Sequence, residues 1–312
     1  MFASTSNTFR NARMAANFQT ALTLDAVRAA APSAFAAAKH ESRSDRYTYI
    51  PTSEVIAGLM HHGFQPFKAA QSRSRIEGKS EFTKHMIRFR HPDAVLQGDS
   101  FPEVVLINSH DGTSAYKLMA GIFRLICTNG LIIADSVTGS LSVQHKGNIV
   151  DQVIDGSFQI IGESQKALQT ADIWGRLRLT AGEQAAYAEA AHTLRFDERE
   201  TADAGVTVNT PITAAQLLRP RRPEDAGEVT DYRRATLPAS DLWRTMNVVQ
   251  ENVISGGLRG RAERRDDRGR LLSSRRVTTR PVQGIDQDVK LNRALWKLAE
   301  RMAELKGVTA AA

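Results

Sequence analysis

Arginine side chains are concentrated near the carboxyl end of the chain, where they could bind phosphate. Between residues 259 and 280, nine arginines are accompanied by only three acids, which leaves a local net charge of +6. A guanidinium forms two parallel hydrogen bonds with a phosphate and also stacks on nucleobases. The cluster predicts a nucleic-acid contact, with a disordered, solvated loop as the alternative. The nine residues are Arg259, Arg261, Arg264, Arg265, Arg268, Arg270, Arg275, Arg276 and Arg280.

Basic residues in the first half of the chain form a second candidate surface. Alternation places Lys84, Arg88 and Arg90 on one face of a predicted strand. Arg73 and Arg75 lie on the predicted strand before it, and Lys117 and Arg124 lie on one side of a later predicted helix. Such residues could neutralise further phosphates, although a plain solvated surface explains the strand face equally well.

The chain as a whole is basic. Its 312 residues include 41 Lys or Arg and 34 Asp or Glu, for a net charge of +7. Thirty-one of the basic residues are arginine, a ratio that GC-rich coding would also explain, although it would not explain the cluster. Aromatic residues are only 6% of the chain, and Phe89, Tyr116 and Trp243, the candidates for stacking on bases, are more typical of a core. Binding should therefore depend on the phosphate backbone more than on base sequence.

Residues that could support catalysis are sparse. The eight histidines lack the spacing of metal ligands, and no glycine-rich phosphate loop or nucleophile elbow occurs. His110 and Asp111 follow a predicted strand, where catalytic groups often lie, but Asp111 and Gly112 also make an ordinary turn. Cys127 fits a small buried residue better than a nucleophile, because no base is placed near it. We predict no catalytic residue, no metal and no cofactor.

The first half of the chain predicts a sheet with accompanying helices. A helix over residues 55–60, ended by Gly63, precedes a hairpin with strands at 64–75 and 82–90. An unbroken apolar run predicts a strand over 103–108 that is buried on both faces. Apolar residues at helical spacing predict a helix over 115–126, and a further strand follows at 131–134.

The second half of the chain is predicted to be mostly helical. The expected helices span residues 148–168, 181–195, 241–254 and 286–305. Thr180 should cap the second helix and Gly256 with Gly257 should end the third. The arginine-rich segment between the last two helices is predicted to be a long loop or a flexible hairpin. The fold class is therefore α+β, an antiparallel sheet packed on helices with a mostly helical C-terminal half.

Composition divides the chain into four segments. They are a loosely ordered N-terminal arm at 1–40, an α+β core domain at 41–196, a proline-containing linker-like segment at 197–240, and a helical C-terminal region at 241–312 with the arginine-rich insertion at 259–280. No apolar run approaches the roughly 20 residues that span a bilayer, and no secretory signal is evident. A single cysteine allows no internal disulfide, so we expect a soluble cytoplasmic protein without membrane contact.

One segment resembles the signature of a known family. The run from Pro102 to Leu131, which contains Asn108-Ser109-His110-Asp111-Gly112, is similar to the DUF932 family, a domain of unknown function found on plasmids, phages and integrated elements. Segments 247–257 and 284–296 resemble it too, so the resemblance covers about residues 40 to 306. It implies a setting in mobile DNA, with roles in recombination, replication or evasion of host defence.

A second resemblance concerns the order of elements. A helix ending in Gly63-Phe64, then a hairpin with a basic strand, then further strand and helix, is similar in outline to ring-forming single-strand annealing proteins of the Rad52 kind. This implies a homo-oligomer, such as a ring, that binds single-stranded DNA by its backbone and anneals complementary strands. The alternative is a plasmid or phage anti-defence protein that acts by protein–protein interaction. A nuclease or transferase using His110 and Asp111 is a third hypothesis.

Overall fold

The chain has an α+β fold with a helical C-terminal half, as predicted, in a computed structural model. The described residues are 13–16, 20–38, 49, 51–74, 78–94, 100–112, 114–124, 130–133, 140–143, 148–196, 199–200, 207–208, 212–221 and 240–308. The strands are β1 (Arg13–Ala16), β2 (Gln65–Gln71), β3 (His85–Arg90), β4 (Ser100–Asn108), β5 (Tyr116–Arg124), β6 (Gly130–Ile133), β7 (Ser140–Val143), β8 (Arg199–Glu200), β9 (Thr207–Val208), β10 (Arg259–Arg265) and β11 (Leu271–Thr278). The helices are α1 (Leu24–Ala30), α2 (Thr52–His61), α3 (Ile149–Arg176), α4 (Ala181–Arg195), α5 (Leu242–Ser255) and α6 (Ile285–Leu305), with 3-10 turns at Pro32–Phe35, Ser80–Phe82 and Ala214–Leu218.

The chain divides into two units. The first comprises Met1–Leu168 and Gln283–Asp286, and the second comprises Gln169–Val282 and Gln287–Ala312. The boundary falls within α3, whereas the predicted core domain ran to residue 196 and so included α4. α4 belongs to the second unit because its buried side chains bond to α5 and α6. Tyr187 donates a 2.7 Å hydrogen bond to the Leu295 carbonyl in α6.

A seven-stranded antiparallel sheet forms the first unit. Its order is β1-β2-β3-β4-β5-β6, and β7 pairs with β5 next to β6. The predicted hairpin is confirmed as β2 and β3, and the predicted apolar strand is β4. All six residues of β3 and nearly all of β4 are buried. A sheet covered on both faces shows no alternation of exposed and buried residues, so alternation cannot assign a basic residue of β3 to the surface.

Helix α2 and the part of α3 up to Leu168 belong to this unit, and both bury apolar side chains. α2 buries Val55, Ile56 and Leu59, and it ends at Gly63, whose φ of 89° lies in the left-handed region, as predicted. The first part of α3 packs on β4, where the Ser164 hydroxyl donates a 3.0 Å hydrogen bond to a main-chain carbonyl. The predicted helix at 148–168 is thus confirmed, and it continues to residue 176.

The predicted helix over residues 115–126 is wrong, because residues 116–124 form strand β5. β5 pairs with β4 on one side and with β6 and β7 on the other. Leu118, Met119 and Ile122 fit a helical stripe, but they are also part of an almost continuous buried run. A strand buried on both faces has no period of two, so periodicity alone cannot separate it from a helix.

The described part of the N-terminal segment packs on the first unit, which differs from the loosely ordered arm expected for residues 1–40. β1 pairs with β2 in antiparallel register, and α1 is capped by the Thr23 side chain. Val27, Ala30 and Ala34 are buried. Their burial explains the order of residues 20–38, since small apolar side chains let a short helix approach the sheet closely.

The second unit contains the helices predicted in the C-terminal half. Thr180 caps α4 with a reciprocal capping box, Asp241 caps α5, and α6 covers the predicted last helix. Within 197–240, the turn Ala214–Leu218 is packed, with Leu217 and Leu218 buried, so this part is not a linker. A four-stranded sheet has the order β11-β10-β9-β8. Among the described residues, no helix is long and apolar enough to cross a membrane.

Candidate nucleic-acid interface

The arginine-rich segment is a two-stranded β-ribbon. β10 and β11 pair in antiparallel register from Arg259 opposite Thr278 to Arg265 opposite Leu271. We call residues 259–278 the arginine ribbon. Of the two structures predicted for this segment, the hairpin is confirmed and the long loop is not. Almost every residue of both strands is exposed or half-buried, so the ribbon projects its side chains into solvent on both faces.

Two glycines, two main-chain hydrogen bonds and one bond to a side-chain hydroxyl fix the base of the arginine ribbon. Gly256 and Gly257 end α5 with φ of 60° and 79°, and a Cβ on Gly256 would collide with the main chain of Arg280. The Gly257 amide donates to the Thr279 carbonyl at 2.7 Å, and the Thr279 amide donates to the Leu258 carbonyl at 2.8 Å. The Thr279 hydroxyl also accepts from the Leu258 amide at 3.0 Å. The two strands of the ribbon are thus joined to each other directly after the end of α5.

Neighbouring segments fix the edge of β10. The side-chain amide of Gln216 donates to the Arg259 carbonyl at 2.8 Å, and β9 pairs with Arg264 and Arg265. These contacts use the main chain of β10 and not its side chains. The scaffold therefore orders the backbone and presents the arginines.

Asp266 closes the turn at the far end. Its amide donates to the Arg270 carbonyl at 3.0 Å, and its carboxylate accepts from the amides of Arg268 and Arg270 at 3.1 and 2.8 Å. Gly269 supplies the left-handed position, with φ of 74°. Arg268 lies in this turn, and Arg280 is exposed just beyond β11. The structure thus brings all nine predicted arginines onto the ribbon or beside it.

Arginines lie on both faces of the ribbon. Residues directly opposite each other in an antiparallel pair share a face. Arg261 and Arg276 are therefore side by side on one face, which Arg259 shares. The other face carries Arg264 and Arg275. All five side chains are exposed.

Internal ion pairs neutralise only part of this charge. Glu263 pairs with Arg265 at 2.8 Å, and Asp266 pairs with Arg270 at 3.1 Å. Within the described residues, the directly opposed pair Arg261 and Arg276 has no acidic partner. Like charges placed directly opposite each other destabilise a β-ladder. The ribbon keeps this arrangement on an exposed surface, where an external anion could relieve it.

The basic strand face predicted in the first half is not formed. Arg88 and Arg90 are buried and both bind Glu103, which is 1% exposed. Arg90 Nε lies 2.7 Å from one Glu103 oxygen, and Arg88 Nε donates to the other. Arg88 also donates to the Leu131 carbonyl at 3.0 Å. Because both faces of β3 are covered, these guanidinium groups cannot reach a phosphate unless the sheet opens.

Arg90 is further enclosed by aromatic rings. Its guanidinium carbon lies 4.2, 4.9 and 4.3 Å from the ring centres of Phe67, Phe101 and Phe123. Burial lowers the pKa of Arg90, and the charge of Glu103 opposes that shift. The Arg88–Glu103–Arg90 triad is therefore a structural element of the sheet, although alternation alone placed both arginines on a surface.

The other predicted contacts in this unit are dispersed. Lys84 binds the Asp286 carboxylate at 2.6 Å. Lys117 and Arg124 lie on opposite faces of β5, since an odd separation in a strand reverses the face, and Arg124 is buried. The predicted shared helix side is therefore wrong. Arg73 is exposed, and Arg75 lies outside the described residues, as does Cys127.

The aromatic residues proposed for base stacking belong to the packed interior. Phe89 and Tyr116 have no exposed surface, and Trp243 is half-buried, with its ring centre 6.5 Å from that of Trp296. The burial of these aromatic residues supports their assignment to the core, which the sequence already favoured. Any contact with nucleic acid would then rest on charge and not on these rings.

A buried polar network lies where β3, β4 and β5 meet the start of α2. The Thr52 hydroxyl lies 3.0 Å from His85 Nε2, 3.1 Å from His110 Nε2 and 3.2 Å from the Tyr116 hydroxyl. The Asn108 amide nitrogen donates to the same hydroxyl at 3.1 Å. These residues were not predicted to be together. The available sequence signal was that these polar residues interrupt apolar runs. Which of them contact one another can be known only from the register of the sheet.

The network is isolated from water. His85 is completely buried, and burial lowers its pKa to about 3, with a further contribution from nearby His110. His85 Nδ1 lies 3.0 Å from the Ser33 hydroxyl in the turn after α1. Asp111 is also buried and follows β4, as predicted. In the part of the chain that the structure describes, no group of three His, Cys, Asp or Glu could hold a metal ion.

Fold and surface together define an α+β protein with a largely apolar sheet that encloses buried polar groups, and with an ordered, exposed arginine ribbon. The chain belongs to the family described as domain of unknown function (DUF932), whose model matches residues 39–296. The resemblance suggested by the Pro102-to-Leu131 signature is thereby confirmed. Described parts of that signature form most of β4, all of β5 and the start of β6.

Two relatives come from Escherichia coli (strain K12). The UPF0380 protein YafZ is 43% identical over 271 residues, which cover 87% of this chain and 88% of the relative. The UPF0380 protein YfjQ is 42% identical over 271 residues with the same coverage. No solved structure matches the chain. These names assign no activity, so function has to be argued from the residues.

Proposed function

We propose that this protein binds nucleic acid through phosphate contacts made by the arginine ribbon. The observation that carries the proposal is an ordered, exposed ribbon on which Arg261 and Arg276 are directly opposed without an acidic partner in the described residues. A structural role would favour acids between these cations, since cross-strand pairs of opposite charge stabilise a sheet. A polyanion supplies that negative charge from outside.

The composition of the ribbon supports recognition of a backbone and not of a base sequence. Arginine forms bidentate hydrogen bonds with phosphate, and each neutralised phosphate releases counterions. Several of the other ribbon side chains, such as Ala262, Ser273 and Ser274, are short, which lets the neighbouring guanidinium groups reach outward. Such binding needs no metal or nucleotide. Annealing of single strands by an oligomer in the cytoplasm, as the Rad52-like order of elements implies, is the biological role we propose for it.

A binding measurement with matched variants tests the proposal. Labelled oligonucleotides of one sequence, both single-stranded and paired, are titrated with protein and followed by fluorescence anisotropy. The variant Arg259→Ala/Arg261→Ala/Arg276→Ala should bind at least about tenfold more weakly, because three charge-assisted contacts are lost. The control Arg176→Ala/Arg293→Ala/Arg301→Ala makes the same change of charge on helices and should bind as the wild type does.

Two results would contradict the proposal. One is a wild-type protein that does not bind either oligonucleotide in dilute buffer. The other is an equal loss of affinity in the ribbon variant and the helix control, which would assign binding to net charge alone. The first result would favour the anti-defence alternative, in which the ribbon contacts a protein.

A further inference from the structure

Two leucines lie at the far end of the arginine ribbon. Leu271 and Leu272 are each 48% exposed, in a segment whose other residues, apart from Val277, are charged, polar or small. Leu271 pairs with Arg265, whereas Leu272 is the extra residue of a bulge, since the register moves from Arg264–Ser273 to Arg265–Leu271. A bulge re-aims side chains and bends a ribbon locally. Exposure of two adjacent large apolar side chains costs solvation unless they have a partner.

The charge around these leucines identifies the kind of partner. Arg264, Arg265 and Arg270 are their neighbours on the ribbon, and residues 259–278 carry a net charge of +5, from eight arginines and three acids. A hydrophobic protein groove would have to accept those guanidinium groups as well. Nucleic acid offers both surfaces, because phosphates line the edges of a groove and the apolar faces of the bases become accessible at its floor when a base step is unstacked.

The two faces of the ribbon fit a paired duplex, which is the product of the proposed annealing, better than they fit a single strand. A single strand has one phosphate backbone and would need arginines on one face. The ribbon has Arg259, Arg261 and Arg276 on one face and Arg264 and Arg275 on the other. A groove of a duplex is bordered by a backbone on each side, and a two-stranded β-ribbon fits within one. Six residue steps from Arg259 to Arg265 give the ribbon a reach of about 20 Å.

We infer that the arginine ribbon enters a groove of duplex nucleic acid and that Leu271 and Leu272 wedge between neighbouring base pairs at its floor. This inference rests on the proposed function and names its ligand. Apolar side chains inserted at a base step unstack it and kink the duplex. The arginines would hold the two backbones while the leucines open the step between them.

Comparison of paired and mismatched duplexes tests the inference. Unstacking costs least where pairing is already broken, so a wedge favours a duplex with one central mismatch. Wild-type protein should bind the mismatched duplex about tenfold more tightly than the paired duplex. A 2-aminopurine beside the mismatch should also become brighter on binding. Leu271→Ser/Leu272→Ser should bind both duplexes equally and leave 2-aminopurine dim.

Controls separate this inference from the proposed function. Leu194→Ser/Leu305→Ser changes two other exposed leucines and should keep the preference for the mismatch. The inference is overturned if the Leu271→Ser/Leu272→Ser variant keeps that preference, if the wild type shows none, or if it prefers a single strand to both duplexes. In each case the ribbon arginines can still be required for binding. If Arg261→Ala/Arg276→Ala binds both duplexes as the wild type does, the proposed function itself fails.

Discussion

Replacing Glu103 by glutamine should destabilise the first unit strongly. Glu103 is the common partner of Arg88 and Arg90, and the exposed fractions of the three side chains are 1%, 1% and 8%. The substitution leaves two buried guanidinium groups without their counter-charge. Removal of one member of a buried ion pair costs about 3–5 kcal/mol, because the remaining charge stays desolvated. We expect a loss of that size in the free energy of unfolding of the first unit.

Amide hydrogen exchange in β3, β4 and β5 measures this loss directly. Tryptophan fluorescence would miss it, because Trp174, Trp243 and Trp296 all lie in the second unit. A loss of 3–5 kcal/mol should speed exchange at the most protected amides by roughly 100-fold or more. The matched control is Asp286→Asn, which removes an acid that is 79% exposed and paired with Lys84. Its effect should be about 0–1 kcal/mol.

A second variant tests the physical reason. Arg88→Met/Glu103→Gln removes one of the two buried cations that Glu103→Gln leaves without a counter-charge. Among the described residues, the Arg88 Nη1 atom forms no hydrogen bond that the substitution would break. The double variant should therefore be more stable than Glu103→Gln alone, as expected for replacement of buried ions by an apolar side chain. The reasoning is refuted if Glu103→Gln and Asp286→Asn change exchange equally, or if the added Arg88→Met destabilises further.

Two further predictions concern the polar network and the base of the ribbon. Because the pKa of His85 is about 3 when folded and 6.5 ordinarily, the unfolded chain binds the extra proton, so the stability of the first unit should fall as pH drops from about 6.5 towards 3. The expected loss in the free energy of unfolding is on the order of 5 kcal/mol, at about 1.4 kcal/mol per pH unit. His85→Gln should remove this dependence on pH when hydrogen exchange is measured over a pH series. An unchanged dependence in the variant would contradict the lowered pKa of His85. Gly256→Ala should cost at least about 2 kcal/mol in urea unfolding followed by tryptophan fluorescence, since its φ of 60° is strained for alanine and the Cβ would strike the Arg280 main chain. Gly269 has a φ of 74° but lies in open space, so Gly269→Ala should lower the free energy of unfolding by about 1 kcal/mol. If Gly256→Ala and Gly269→Ala lower it equally, the contact with the Arg280 main chain does not contribute.

Local signals in the sequence predicted the elements that hold the arginine ribbon. Asp241 before an apolar helical stripe, paired glycines after it and a second helix further on identify α5, its end and α6. The cluster of arginines identified the segment itself. These features depend on residues close together in sequence, where capping and steric rules act. The allocation of arginines to two faces could not be predicted, because it depends on the cross-strand register.

Long-range pairing accounts for the errors. Arg88 and Glu103 are 15 residues apart, and their ion pair exists because β3 and β4 are neighbours in the sheet. Without that pairing, a basic residue in a strand is most simply placed on a surface. The same reason explains the helix predicted at 115–126. Leu118 and Met119 face opposite sides of β5, and both sides are covered by elements that the local pattern does not reveal.

The salt dependence of binding provides the most direct test of the arginine ribbon as a phosphate-binding surface. The affinity of wild-type protein and of Arg261→Ala/Arg276→Ala for one duplex is measured between about 50 and 200 mM salt. Each lost phosphate contact lowers the slope of log affinity against log salt by about 0.9, so the variant's slope should be smaller in magnitude by about 1.8. An unchanged slope in a variant with wild-type stability would contradict the account, because the two opposed arginines would then neutralise no phosphate.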